Sequence, residues 1–200
     1  MHQPRQTHYD AAIRVLRYLK SSPGYGILLF SNSSLQISAY CDSDWAACPM
    51  TRRSTTRYFV MLGKSPISWR TKKQHTVSRS SAEADYRVMA SATCELIWLK
   101  SLLCDLRIFH SKPMHLYCDN NQAAPHIAAN PFFHERTKHI EIDCHFVREK
   151  IITGIISTSH VSSNQQLADI FTKALGSDQF YYLLRKLGVT DLHPQLEGEY

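Results

Sequence analysis

Four aspartates are notable for where they fall in the chain. Leu35 to Cys41 alternates apolar and polar residues as a half-buried strand does, and Asp42 closes it. A second short run, His115 to Cys118, ends in Asp119. Asp85 lies in the first turn of a stretch that opens at Ser80 and meets no Gly or Pro for some 25 residues, and Asp169 lies near the start of a helical stretch from Gln165 to Leu175. Acids at strand ends and at helix N-terminal turns can meet at one edge of a sheet. Carboxylates gathered there repel one another, so the cluster persists mainly with divalent cations among them. Oxygen-only ligation suits Mg²⁺ or Mn²⁺, and two such ions roughly 4 Å apart are a means of cleaving phosphodiesters. Spacing alone leaves the alternative open that these acids are ordinary caps and solvated carboxylates. Asp44, two residues beyond Asp42, reads as a turn acid.

A one-signed window lies beside them. The 200-residue chain carries 23 Lys and Arg against 17 acids, a formal +6. Between Trp45 and Ala82 stand eight basic residues (Arg52, Arg53, Arg57, Lys64, Arg70, Lys72, Lys73, Arg79) and no Asp or Glu, so the basic excess is local. Interleaved with Tyr58, Phe59 and Trp69, it has the makings of a polyanion surface, because phosphates need cations and sugars or bases need flat faces. A solvated Lys- and Arg-rich hairpin is the alternative. A pair of cations directly after Trp69 and Arg70, Lys72 and Lys73, are the best candidates for phosphate contacts.

The elements that must position these residues follow from pattern. Tyr9, Ala12, Ile13, Leu16 and Leu19 recur at helical spacing until Pro23, Gly24 and Gly26 end the helix. Ile27 to Phe30 is a short apolar run. Arg57 to Leu62 and Ile67 to Arg70, separated by Gly63 to Pro66, complete an antiparallel meander with the first strand. Ser80 with Glu83 forms a capping box for a helix reaching about Asp105, roughly 37 Å long. A small helix near Gln122 to Ala129, a turn at Asn130-Pro131, a helix around Ile140 to Ile151, a strand at Ile155 to Ser159 and a final amphipathic helix on Phe180, Leu183, Leu184 and Leu187 follow. Meander strands, then strands alternating with helices, predict a mixed α/β sheet flanked by helices. With 44% hydrophobic and 20% charged residues the chain is neither disordered nor low-complexity, and no segment has the roughly 18 apolar residues of a membrane span. The opening MHQPRQTHYD has no apolar core of a signal peptide, so the six cysteines are expected as thiols of an intracellular protein.

The strings YCDSDWA, TRRSTTRYF, ISWRTKKQHTVSRSSAEADYRVMASATCELIWL, LYCDN, FFHERTKHIEIDCHFVREKI and HVSSNQQLADIFTKAL occur in this order. Together they resemble the ribonuclease H region of copia-type LTR retrotransposon Pol polyproteins, over about Leu35 to Gly176. The preceding THYDAAIRVLRYLK resembles the end of the reverse transcriptase and connection region. The resemblance implies a ribonuclease H-like α/β fold with a five-stranded mixed sheet over 33–177, a reverse transcriptase remnant over 1–32, and a C-terminal helix and tail over 178–200. It implies an endoribonuclease that hydrolyses the RNA strand of RNA-DNA hybrids with two Mg²⁺ ions, Mn²⁺ substituting, and that leaves a 5′-phosphate and a 3′-hydroxyl. Carried over position by position, the family's catalytic and metal-holding acids fall on Asp42, Asp85, Asp119 and Asp169. His160 matches its loop histidine. Arg52, Arg53, Arg70, Lys72 and Lys73 are the expected nucleic-acid contacts, with the hybrid and the upstream reverse transcriptase region of the same polyprotein as partners and no membrane. Replication in cytoplasmic particles is implied by the resemblance alone.

Three positions depart from the family. Asp85 stands where EAEY has Glu, one methylene longer. The string after Asp119 reads DNNQAAP, one residue longer than DNQAA, with Pro125 at a helical position. Arg57 replaces the Gly of STTGY, which costs strain if that position has positive φ and alternatively adds a phosphate contact. These departures make a folded nucleic-acid-binding remnant without catalysis the competing reading. A zinc site from His134, His139, Cys144 and His145 is disfavoured because no second Cys stands at ligand spacing. No GxSxG string supports a serine hydrolase.

Overall fold

The computed structural model describes residues 3–119 and 138–191. The small helix expected near Gln122, the Asn130-Pro131 turn, Pro125 and His134 lie outside them. In chain order the elements are α1 (Gln6–Ser21), β1 (Tyr25–Ile27), β2 (Ile37–Asp44), β3 (Thr55–Leu62), β4 (Ser65–Lys73), α2 (Ser81–Asp105), β5 (Met114–Cys118), α3 (Lys138–Ile152), β6 (Ile156–His160), two 3-10 turns (Ser163–Gln165 and Leu167–Phe171), α4 (Ser177–Lys186) and β7 (Val189–Asp191).

Five strands form one mixed sheet in the order β4-β3-β2-β5-β6. The meander β2-β3-β4 is antiparallel, whereas β5 joins β2 and β6 joins β5 in parallel. The β3–β4 hairpin turns on Gly63-Lys64, with Gly63 at φ +59, the position where a tight hairpin turn of this kind wants glycine. Because side chains alternate across a strand, β2 splits its residues between two layers. Ile37, Ala39 and Cys41 join Tyr58 and Val60 under α2, whose Val88, Met89, Ala92, Leu96 and Leu99 complete the main core. Tyr40, Phe59 and Met61 take the opposite face, packed under Leu167, Ile170, Phe171, Leu183 and Leu187.

Helix α2 starts as its residues suggest, and one detail of the start differs. Ser80 Oγ accepts the Glu83 N–H at 3.2 Å, but Glu83 Oε2 accepts from the Arg79 N–H at 2.8 Å and not from Ser80. The stretch from Gln165 to Leu175 carries one 3-10 segment, Leu167–Phe171, and not an α-helix. Gln166, fully buried, reaches across to donate to the Cys41 carbonyl at 3.1 Å and turns its own Oε1 to the Ala168 N–H. A side chain spent in that way competes with helical continuation. The apolar run at Ile27 to Phe30 meets strand β1 (Tyr25–Ile27) only at Ile27; β1 pairs outside the main sheet with β7, an element without a sequence signal. Helix α1 has no buried residue.

Candidate active site

Strand β2 carries Asp42 to the end of the sheet, and the antiparallel register sets Arg57 of β3 directly opposite it. Asp42 points to the face covered by the second 3-10 turn, where Asp169 sits. Asp42 is 7% exposed, Asp169 3% and Arg57 0%. Arg57 Nη2 lies 2.5 Å from Asp42 Oδ2 and Nη1 lies 3.6 Å from Asp169 Oδ1. Lys173, one turn beyond Asp169, reaches Asp169 Oδ1 at 2.7 Å and Asp42 Oδ2 at 3.7 Å. Two carboxylates are thus held by two cations, one buried and one part-exposed.

The other two acids approach from the opposite side. Ser43 points to the α2 face and donates its hydroxyl to Asp85 Oδ1 at 2.5 Å. Asp119 follows β5 directly. Asp42, Asp85 and Asp119 line one small cleft with Cys41, Cys118, Val88 and Met89, of about 10 Å³, barely the room of a single water. His160 ends β6 opposite Cys118, exposed, one residue from the Asp119 level. Glu83 is turned from the cleft, binding Arg87 at 2.7 Å, so it supplies no substitute for the shortened Asp85.

Burial pushes the Asp42 carboxyl up to about 8; Arg57 and Lys173 pull it down, while Asp119 and a hydrogen bond with Asp169 add to the rise. Burial works against the charge of Lys173, but its hydrogen bond to Asp169 and the fields of Asp42 and Asp169 prevail and raise it. Two of the four acids, Asp42 and Asp169, meet the two cations, and burial favours the neutral form of Asp42 against their pull.

This arrangement does not fit a pair of divalent ions. The space between Asp42 and Asp169 is filled by the Arg57 guanidinium, and among the described residues no three His, Cys, Asp or Glu side chains form a ligand set. Arg57 also differs from its expected roles. It lies in regular strand, outside the residues with positive φ, and it is too deep to meet a phosphate. Of the alternative zinc set, Cys144 is buried in the core, with burial pushing its thiol up to about 12, while His145 is exposed on the next position of α3.

The basic residues divide by location. Arg70, Lys72 and Lys73 are exposed on the edge strand β4 and line a groove of about 570 Å³ with Gln74, His75 and Arg79, against α2 and α3. Thr71 opposes Arg57, which opposes Asp42, so the groove's cations stand about two strand spacings, roughly 10 Å, from the acids. Arg52 and Arg53 lie in the exposed loop after β2, which meets β4 through Lys73 Nζ, 3.0 Å from Cys48 Sγ. Trp69 is 51% exposed and stacks on Phe59. Sequence reasoning missed Lys173 and Ser43 as neighbours of the acids. The LADIFTK string places Lys173 one turn from Asp169, which is a usable signal, whereas Ser43 had none.

No protein-family model matches the chain. It is 46% identical over 198 residues, 99% of its length, to the retrovirus-related Pol polyprotein from transposon RE2 of Arabidopsis thaliana, and 45% identical over 194 residues, 97% of its length, to that from transposon RE1. It spans only 14% and 13% of those proteins. Among solved structures, an RNase H1 isolated from compost by a metagenomic approach aligns over 68% of this chain and 91% of its own with TM-score 0.51 and 11% identity, which speaks to the fold. With the mixed sheet described above, these likenesses show that the chain belongs with the retrovirus-related Pol polyproteins of copia-type transposons and has a ribonuclease H-like fold.

Proposed function

We propose that this chain engages RNA-DNA hybrid as a ribonuclease H-type domain and that it does so by its groove of exposed cations. The observation that carries this reading is the line of Arg70, Lys72, Lys73 and Arg79 along a groove beside the acidic end of the sheet. Cations on a sheet edge read phosphates and not base edges, so sequence preference is weak and affinity falls with salt. A hybrid displays 2′-hydroxyls in a wide minor groove, which exposed edge cations reach through the flanking phosphates.

Hydrolysis of the RNA strand is the second reading, favoured by the convergence of Asp42, Asp85 and Asp119 on one cleft with Asp169 behind Asp42. As arranged, the four acids do not fit a pair of divalent ions: Asp42 and Asp169 hold Arg57 and Lys173, and Asp85 accepts the Ser43 hydroxyl.

Fluorescence anisotropy with labelled hybrid, duplex DNA and single-stranded RNA in chelator tests the first reading. Salt-dependent binding that favours hybrid is expected, and equal weak binding of all three overturns it. Incubation of labelled hybrid with Mg²⁺ and then Mn²⁺, comparing the chain with Asp42→Ala and Asp85→Glu, tests the second: cleavage abolished by Asp42→Ala supports hydrolysis, and silence in all three refutes it.

A further inference from the structure

The residue that separates Asp42 from Asp169 has a chemistry of its own. Arg57 stands in the second strand of the sheet, flanked by β2 and β4, with no exposed surface. Its guanidinium lies against Asp42 Oδ2 at 2.5 Å and Asp169 Oδ1 at 3.6 Å, the place a cation shared by the two carboxylates would take. Its fit is imperfect: Nε and Nη1 have no hydrogen-bond partner among the described residues. Guanidinium normally forms paired, planar hydrogen bonds with a carboxylate, so this is a cation placed among acids whose geometry was not shaped to it. Lys173 is different. Its side chain is 40% exposed on a flexible stem and can swing out to solvent. Arg57, with no exposed surface between two strands, has no path out short of opening the sheet.

We propose that Arg57 is an internal counter-cation that takes the place of a divalent ion between Asp42 and Asp169, so that this domain does not recruit divalent metal and the single change Arg57→Gly opens the site to it. The physical basis is twofold. The guanidinium fills the volume between the carboxylates, and its fixed positive charge, a few ångströms from any ion bound by Asp42, opposes a second cation in a buried, weakly screened place. Removing it to Cα leaves two buried carboxylates facing a gap with only the part-exposed, displaceable Lys173 beside them, an arrangement that favours a further cation.

The inference rests on the ribonuclease H-type reading only in naming a divalent cation as the group displaced. The test is Mn²⁺ uptake by the full chain, read from the electron paramagnetic resonance signal of free Mn²⁺, together with the shift in melting temperature on adding Mn²⁺. The wild type is expected to show no uptake that Asp42→Asn removes, and no shift in melting temperature. Arg57→Gly is expected to bind Mn²⁺ at least about tenfold more tightly than wild type and to melt higher with the ion, and Arg57→Gly/Asp42→Asn to lose both gains. Uptake by the wild type that depends on Asp42 overturns the proposal, as does an Arg57→Gly chain that folds and gains nothing. Should Arg57→Gly fold only when Mn²⁺ is supplied, that dependence supports it, and if it folds in neither condition the wild-type arm decides. Hybrid binding in chelator, measured on the same proteins, is independent of these readouts, so loss of the hybrid reading and loss of this inference are told apart.

Discussion

Replacing Lys72 and Lys73 together by alanine should halve the salt dependence of hybrid binding. Both side chains are exposed at the free end of an edge strand, so the change should leave stability within about 0.5 kcal/mol. The groove holds four exposed cations, Arg70, Lys72, Lys73 and Arg79; Arg87 also lines it but is held by Glu83 at 2.7 Å and is not counted. If each of the four meets one phosphate, at about 0.9 of slope per contact, log affinity falls against log salt with a slope of about −3.6. Between about 50 and 200 mM salt the wild type then loses affinity about 150-fold. With two contacts left the slope is about −1.8 and the loss about 12-fold. Anisotropy of a labelled hybrid across that salt range reads both slopes. Because the contacts are to phosphate, hybrids of different sequence should respond alike. A slope unchanged by the double substitution would refute the assignment of the groove, and a change confined to one hybrid sequence would refute backbone reading.

Two further outcomes follow from local geometry. Lys73 and Thr51 hydrogen bonds pull the Cys48 thiol down to about 6, whereas Cys144 is pushed up to about 12, so at neutral pH iodoacetamide should label Cys48 first of the six cysteines. Its rate should climb through about pH 6; in Lys73→Ala the rise should move toward the ordinary thiol range near pH 8.5, and peptide mass spectrometry that finds Cys94 or Cys104 labelled first would contradict the assignment. A Cβ on Gly63 would overlap the Ser34 carbonyl oxygen and the Ser33 hydroxyl in a backbone already at φ +59. Gly63→Ala should cost about 3 kcal/mol and lower the melting temperature by roughly 6–12 °C, with an unchanged melting curve ruling out the turn as drawn.

What the sequence made legible was local. Alternation in Leu35 to Cys41 located Asp42, Ser80 marked the start of α2, and an uninterrupted stretch marked its length, because each signal is carried by neighbouring residues. The 3-10 turns around Asp169 were not legible, since the helical pattern of LADIF is overridden by Gln166 reaching a carbonyl 125 residues away. The β1–β7 pair was equally hidden, each strand being three residues whose partner lies at the far end of the chain.

Arg57 shows where counting fails and parity succeeds. Taken as charge, it is one of eight cations in a basic window, indistinguishable from Arg70 or Lys72. Taken as position, it shares a face with Phe59 and Met61, two and four residues on, which lie under the apolar 3-10 segment. Arg70 and Lys72 fall on the other parity, opposite Tyr58 and Thr56. A cation on the apolar parity of a central strand is expensive to bury unless an acid meets it, and the register supplies Asp42. The same window therefore holds cations in two opposite settings: those at the open edge are exposed along the groove proposed for the hybrid, and Arg57 faces inward to the acids. Their separation depends on the length of the loop between β2 and β3, since a shift of one residue in that register would turn Arg57 to the other face and leave Asp42 without it.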